Sequence, residues 1–141
     1  MLRNVGIRPT PQRIAIYKVL NKTTQHPTAE LIYEAVKDDF PSLSFNTVYD
    51  TLRVFTDAGI IRKLSMRENI SRYDANPIPH GHFICINCGC VDDLGPIVDK
   101  ELDKIDVIIR DKINKKVIDR DYRFYGYCSE CERKMQSGEE K

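Results

Sequence analysis

Apolar residues recur at helical spacing three times in the first 60 positions, and each run is preceded by a hydroxyl residue suited to cap a helix. Thr10 stands before Pro11, whose missing N–H does no harm at a first helical position, and Ile14, Tyr17, Val19 and Leu20 supply a buried side. Thr28 is a second cap, and Leu31, Ile32, Ala35, Val36 and Phe40 follow before Pro41 stops the helix. Ser44 caps a third helix expected to reach Ala58, with Gly59 as its stop and Val48, Leu52 and Phe55 as its apolar stripe. That register turns Asn46, Thr47, Tyr49, Asp50 and Arg53 toward solvent, at the start of a helix that follows another by a short turn.

The pattern then shortens. Residues 60–64, a polar turn through Arg67, Glu68 and Asn69, and residues 70–74 predict a β-hairpin with a basic rim. Helix-turn-helix followed by a hairpin is a winged helix. Asn76-Pro77-Ile78-Pro79 breaks helix and ladder alike, which divides the chain into a winged-helix domain (1–76), a proline hinge (77–79) and a second domain (80–141). In the second domain, strands are expected at 82–86, 91–94 and 116–125, and a helix at 97–113. The apolar face of that helix carries Val98, Leu102, Ile105, Val107, Ile108 and Ile109, and a polar tail follows Cys131. The fold class is therefore α+β, an N-terminal winged helix-turn-helix plus a small α/β domain. A three-stranded sheet covered by one helix has exposed edges, so this half is expected to pair with a second copy.

Composition changes the picture in two places. The net charge of +1 conceals an asymmetry: residues 1–76 hold 11 Lys/Arg against 8 Asp/Glu, and residues 77–141 hold 11 against 13. A mildly basic first half is compatible with nucleic acid, although a solvated surface accounts for it as well. There is no run of about 18 apolar residues and no apolar signal core, so a soluble, cytoplasmic protein without a membrane partner is expected. Four of the five cysteines form two Cys-x-x-Cys pairs, which in a reducing compartment favours thiolate ligands over disulfides.

The chemistry concentrates in residues 80–90, His-Gly-His-Phe-Ile-Cys-Ile-Asn-Cys-Gly-Cys. On a strand, His80, His82 and Ile84 face one side, and Phe83 and Cys85 face the other. Cys85, Cys88, Cys128 and Cys131 supply four thiolates for a closed tetrahedral zinc site, the 39 residues between the pairs being spanned by strand, helix and strand. Cys90 is left over: a buried inert thiol, a substitute ligand or an oxidation target, the first being the plainest reading. His80 and His82 are candidate ligands of a second ion, with Asp74 and Asp93 close in sequence. Imidazole mixed with carboxylate suits Fe²⁺, Mn²⁺ or Zn²⁺. Spacing leaves His26 unassigned.

Thr10-Pro11-Gln12-Arg13, His26-Pro27-Thr28-Ala29, Thr47-Val48-Tyr49, Arg72-Tyr73-Asp74, His80-Gly81-His82, Cys85-x-x-Cys88-Gly89 and Tyr125-Gly126-Tyr127-Cys128-x-x-Cys131 together resemble the ferric uptake regulator family over almost the whole chain. The resemblance implies a homodimeric, metal-responsive repressor that binds an inverted repeat in double-stranded DNA. It implies structural Zn²⁺ on the four paired cysteines and a regulatory ion on His26, Asp74, His80, His82 and Asp93. DNA contacts would come from Arg13, Asn46, Thr47, Tyr49 and Arg53. Asp74 stands where many iron-sensing members have glutamate, which resembles the peroxide-stress branch. There the regulatory site takes Fe²⁺ or Mn²⁺, and with iron, peroxide oxidises a ligand histidine, here His26 or His80.

In two places the chain departs from the family pattern. Asp119-Arg120-Asp121-Tyr122 occupies a region where members often carry further histidines for an additional metal site. Asp50 follows Tyr49 where a basic or amide residue is common. Three other readings remain: an iron or zinc uptake regulator, a zinc-stabilised interaction module, and a small metallohydrolase built on His80, His82 and an aspartate. The last lacks a positioned acid or base, so no enzyme is expected.

Overall fold

Three helices and a hairpin make the first of two compact units, and the chain divides between Pro77 and Ile78. The structure is a computed structural model and describes residues 2–66 and 69–138. A 3-10 turn (Leu2–Val5) leads to α1 (Pro11–Lys22), α2 (Ala29–Val36) and α3 (Phe45–Asp57). Each helix is capped by the expected residue: Thr10 accepts from Arg13 N at 3.2 Å, Thr28 from Leu31 N at 3.3 Å, and Ser44 from Thr47 N at 3.1 Å. Gly59, at φ +77°, carries the chain out of α3 in the left-handed conformation that glycine adopts without strain. The hairpin pairs β1 (Arg62–Ser65) with β2 (Ser71–Asp74) antiparallel, Arg62 opposite Asp74. The predicted turn residues Arg67 and Glu68 lie outside the described residues.

The core of this unit joins all three helices. Ile16, Leu20, Ile32, Val48, Leu52 and Phe55 are almost completely excluded from solvent, and each large side chain contributes about 1.5–3 kcal/mol by burial. Two expectations are corrected here. On α1 the buried pair is Ile16 and Leu20, one turn apart, whereas Ile14 is exposed. The helix carries apolar residues around most of its circumference, so periodicity alone does not pick the face. Helix α2 ends at Val36 rather than near Phe40, because the residue before Pro41 is pushed out of helical geometry; turns through Asp39 and Phe40 deliver Leu43 to the core.

The second unit orders its sheet β4-β3-β5, from β3 (His82–Cys85), β4 (Val91–Asp93) and β5 (Arg123–Gly126). β4 runs antiparallel to β3, placing Asp93 opposite His82, and β5 runs parallel to it, placing Arg123 opposite His82. α4 (Pro96–Ile108) continues as a π-helical turn (Ile109–Ile113) and stops at Asn114, whose φ is +58°. Of the apolar face expected on this helix only Leu102 is buried, and Val98, Ile105, Val107 and Ile108 remain exposed in a single copy.

Residues 116–122 form no strand, since only from Arg123 onward does β3 offer a partner. The expected polar tail is instead helix α5 (Ser129–Gln136). Cys128 caps it, Glu130 and Glu132 sit in its first turn, and Arg133 and Lys134 in its last, which suits the helix dipole at both ends. No helix among the described residues is long and apolar enough to cross a membrane.

Candidate functional site

His26 sits in the loop before α2 with φ +53°, a left-handed conformation that costs a non-glycine residue about 1 kcal/mol or more and that histidine adopts more readily than most. The loop is tied to the wing. Tyr73 N donates to Pro27 O at 2.9 Å, and the Arg72 guanidinium donates to His26 O at 3.0 Å. These bonds hold the His26 ring against the end of β2, where Nε2 lies 3.1 Å from Asp74 Oδ2. Both side chains are buried, and Asp74 Oδ1 accepts from Asn76 N at 2.9 Å. The first unit thus contains one imidazole and one oriented carboxylate.

The second unit contains two imidazoles and a carboxylate. His80 Nε2 and His82 Nε2 lie 3.1 and 3.3 Å from the same oxygen of Asp93, and the two rings are 4.4 Å apart between centroids. Register explains the grouping, since His82 and Asp93 are cross-strand partners and His80 is two residues before His82. The His80 Nδ1–H donates to Ile78 O at 2.7 Å, because a carbonyl can only accept. That bond fixes the tautomer and leaves the Nε2 lone pair directed at a carboxylate oxygen, an arrangement that needs a proton or a metal cation between them. A ligand histidine whose other nitrogen donates to a carbonyl is the usual arrangement around bound metal. Gly81, between the histidines, has its N–H on Asp99 Oδ1 at 2.9 Å, and a Cβ there would come within 2.5 Å of Leu94 Cδ1.

All five cysteines are free thiols. Cys88 N and Cys131 N each lie 3.5 Å from the sulfur three residues earlier, so both Cys-x-x-Cys pairs are knuckles with N–H groups on a sulfur. Cys88 Sγ and Cys128 Sγ are 3.9 Å apart, against about 3.8 Å for two sulfurs on a tetrahedral zinc with bonds of about 2.3 Å. Burial works to raise the Cys85 thiol, but N–H groups of Cys88, Cys128 and Asn87 outweigh it and bring it down to about 6. For Cys131 the Asn87 amide favours the thiolate, yet contacts with the Cys128, Cys85 and Cys88 thiols and burial push it up to about 11. So many sulfurs cannot ionise together without a cation, and the donor set fits zinc.

Four of the five residues expected at DNA line two clefts on the first unit, and Asn46 lines neither. Arg13 and Thr47 line a cleft of about 390 Å³ with Arg8, Thr10 and Asp50, and Arg13 Nη1 donates to Arg8 O at 3.1 Å. Tyr49 and Arg53 line a smaller one of about 150 Å³ with Lys63 and Tyr73. Asn46, Tyr49 and Arg53 are exposed on α3, while the Thr47 hydroxyl pairs with Ser44 Oγ at 2.9 Å. Arg53 Nη2 donates to Asp50 Oδ1 at 3.3 Å, so the acidic residue that departs from the family pattern restrains the helix's arginine.

A model of the ferric uptake regulator family matches residues 4–125. The chain belongs to that family. It is 40% identical over 133 residues, 94% of its own length and 88% of the relative's, to the peroxide-responsive repressor PerR of Staphylococcus aureus. The Campylobacter jejuni peroxide stress regulator has a solved structure that matches with a TM-score of 0.74 and 27% identity, covering 92% of this chain and 93% of that one. The Vibrio cholerae ferric uptake regulator matches with a TM-score of 0.73 and 29% identity, covering 90% and 96%.

One residue that sequence reasoning passed over, Asn87, and one whose role it left open, Cys90, belong beside these sites. Asn87, inside the first knuckle, donates to Cys131 Sγ at 3.3 Å; the signal was an amide between the two cysteines of a Cys-x-x-Cys pair. Cys90 joins Cys85, Cys88 and Cys128 in one group of sulfurs within 4.8 Å of one another, where the plainest expectation left it inert.

Proposed function

We propose that this member of the ferric uptake regulator family is a metal-dependent, DNA-binding transcriptional repressor that responds to hydrogen peroxide. The observation that carries this reading is its 40% identity, over 94% of its length, to a peroxide-responsive repressor. The histidine–aspartate sets of the two units, with all three imidazoles buried, supply ligands of the matching hardness.

In this reading His26 and Asp74 from the winged-helix unit and His80, His82 and Asp93 from the other hold one regulatory Fe²⁺ or Mn²⁺. Cys85, Cys88, Cys128 and Cys131 hold structural Zn²⁺. A regulatory site shared between the halves fixes the angle of the winged helix on its partner domain. In a homodimer that angle sets the spacing of two α3 helices, and half-sites about 34 Å apart are read only when the spacing is right. Moving such an equilibrium from one side to the other takes about 5.5 kcal/mol of differential binding, within reach of a multidentate site. Bound Fe²⁺ supplies redox chemistry with peroxide that Mn²⁺ does not. His26 and His80 are the side chains that would take up oxygen. Each donates a ring nitrogen to the site, and an oxidised ring donates poorly, so the ligand set loosens and the DNA is released.

Dimerisation would use apolar side chains of the second unit that stay exposed in one copy, among them Val107 and Ile108 on α4 and Phe124 on β5. Arg13, Asn46, Thr47, Tyr49 and Arg53 would contact an inverted-repeat duplex. The test is to treat the Fe²⁺-loaded and Mn²⁺-loaded protein with peroxide and to weigh its peptides. One added oxygen on the His26 or His80 peptide of the iron form alone is expected. An unmodified iron form would overturn peroxide sensing and leave a sensor of metal availability.

A further inference from the structure

The second unit brings five thiols to a site where tetrahedral zinc takes four. Cys85, Cys88 and Cys90 ride on one turn, closed by Cys85 N on Cys90 O at 3.0 Å and Gly89 N on Cys85 O at 2.9 Å. Gly89, at φ +79°, reverses the chain so that Cys90 comes back toward the two earlier sulfurs. These three and Cys128 form the group within 4.8 Å. Cys131 reaches the same partners from α5, in thiol contact with Cys128, Cys85 and Cys88. Two cysteines therefore approach one trio from different elements.

We propose that Cys90 and Cys131 compete for the fourth zinc place, while Cys85, Cys88 and Cys128 hold the other three in both arrangements. The inference rests on the reading that this cluster binds structural zinc. The exchange is balanced: the incoming thiol gives its proton to solvent, the departing thiolate takes one up, and no electron moves. The two arrangements are close in free energy for opposite reasons. Cys90 belongs to a turn that is already ordered, so its binding fixes no further chain. Cys131 binds only while α5 is docked, but it is buried and its sulfur receives the Asn87 amide. Cys131 is also the buried residue of α5, so the exchange decides whether that helix is held by both of its cysteines or by Cys128 alone.

The first test uses the full-length zinc-loaded wild type, labelled briefly with N-ethylmaleimide under reducing conditions and mapped by peptide mass. Competition predicts partial labelling of both Cys90 and Cys131, with Cys85, Cys88 and Cys128 protected. Full labelling of Cys90 with Cys131 as protected as Cys85 would overturn the proposal. The second test replaces zinc with Co²⁺ in Cys90→Ser, Cys131→Ser and the double variant, reading metal content and the thiolate charge-transfer absorption. Each single variant is expected to retain one ion with a four-thiolate spectrum, and the double variant to drop to three thiolates. A three-thiolate spectrum or metal loss in Cys131→Ser, with wild type loaded, overturns the competition alone. A wild type that takes up no zinc or cobalt overturns the zinc reading and the competition with it.

Discussion

His26 and Asp74, 48 residues apart in the chain, meet within the first unit with Nε2 3.1 Å from Oδ2, and both side chains are buried. The wing's last residue and the loop before α2 are therefore one structure, held by Tyr73 N on Pro27 O and by the Arg72 guanidinium on His26 O. A buried imidazole facing a carboxylate is a sound structural pair without any ion, so burial alone does not assign it to metal.

Asp74→Asn separates those roles. The amide oxygen can still accept from Asn76 N, and the amide nitrogen can donate to the His26 ring, so the unit should unfold in urea within about 1 kcal/mol of the wild type. A neutral amide is a far poorer ligand than a carboxylate. Mn²⁺ affinity followed by electron paramagnetic resonance should fall on the order of tenfold or more, and the Mn²⁺-dependent shift of an inverted-repeat duplex with it. Unchanged Mn²⁺ affinity would remove Asp74 from the ligand set.

Arg120 lies in the stretch that departs from the family pattern, and it ties the segment before β5 to α4. Its guanidinium donates to Asp106 Oδ2 at 2.6 Å and to Asp103 Oδ1, both on α4, and lies 5.9 Å over the Tyr122 ring. Its side chain is only 17% exposed, so salt screens these contacts incompletely. Arg120→Met should cost about 1–2 kcal/mol, because Asp106 loses its partner in a partly buried place while the more exposed Asp103 contributes less. Urea unfolding at fixed protein concentration measures this. A cost that disappears entirely in 1 M salt would show that the contacts are ordinary surface pairs.

The helices of the first unit were legible because their signals are local. A hydroxyl cap acts within three residues, and Thr10, Thr28 and Ser44 all accept the expected N–H. What escaped depended on partners distant in sequence. β5 begins at Arg123 rather than near residue 116 because β3 pairs only there, and α5 follows from a cysteine cap with one buried side chain, a pattern that reads as a polar tail. The clustering of candidate side chains was legible in part: the cysteine pairs through their spacing and His80 with His82 through strand alternation, whereas Asp93 was read only as close in sequence and its place opposite His82 follows from the β3–β4 pairing. The place of Cys90 was not legible, since it depends on the left-handed turn at Gly89.

The apolar face expected on α4 is real in sequence and exposed in one copy: Val107 is 45% and Ile108 54% accessible. Ile108→Glu places a charge on that face without entering the core formed around Leu102. If the face is the dimer interface, light scattering should show a shift from dimer to monomer at micromolar concentration, while the circular dichroism of each unit is retained. DNA affinity should fall with it, since a monomer binds only one half-site. A variant that stays dimeric would place the interface elsewhere.

Asp50 and Arg53, one turn apart on α3, are each 65% exposed and joined at 3.3 Å. A pair this open adds at most about 1 kcal/mol to stability, so a larger effect of breaking it would have to come from DNA recognition. If α3 is the helix that meets DNA, the Asp50 carboxylate repels phosphates and holds Arg53, the only basic side chain of α3, in an intrahelical contact. Non-specific duplex must break that contact without compensation, whereas a matched site can use the geometry it imposes. Asp50→Asn should therefore bind random duplex more tightly, discriminate less between an inverted repeat and a scrambled one, and leave stability unchanged. Freeing Arg53 for a phosphate should steepen the salt dependence by about 0.9 in log–log slope per half-site. If the substitution weakened operator binding and left random duplex unaffected, Asp50 would instead be accepting a base-edge hydrogen bond, from cytosine N4 or adenine N6. Comparing the two duplexes at several salt concentrations separates a restraint on Arg53 from direct readout by Asp50.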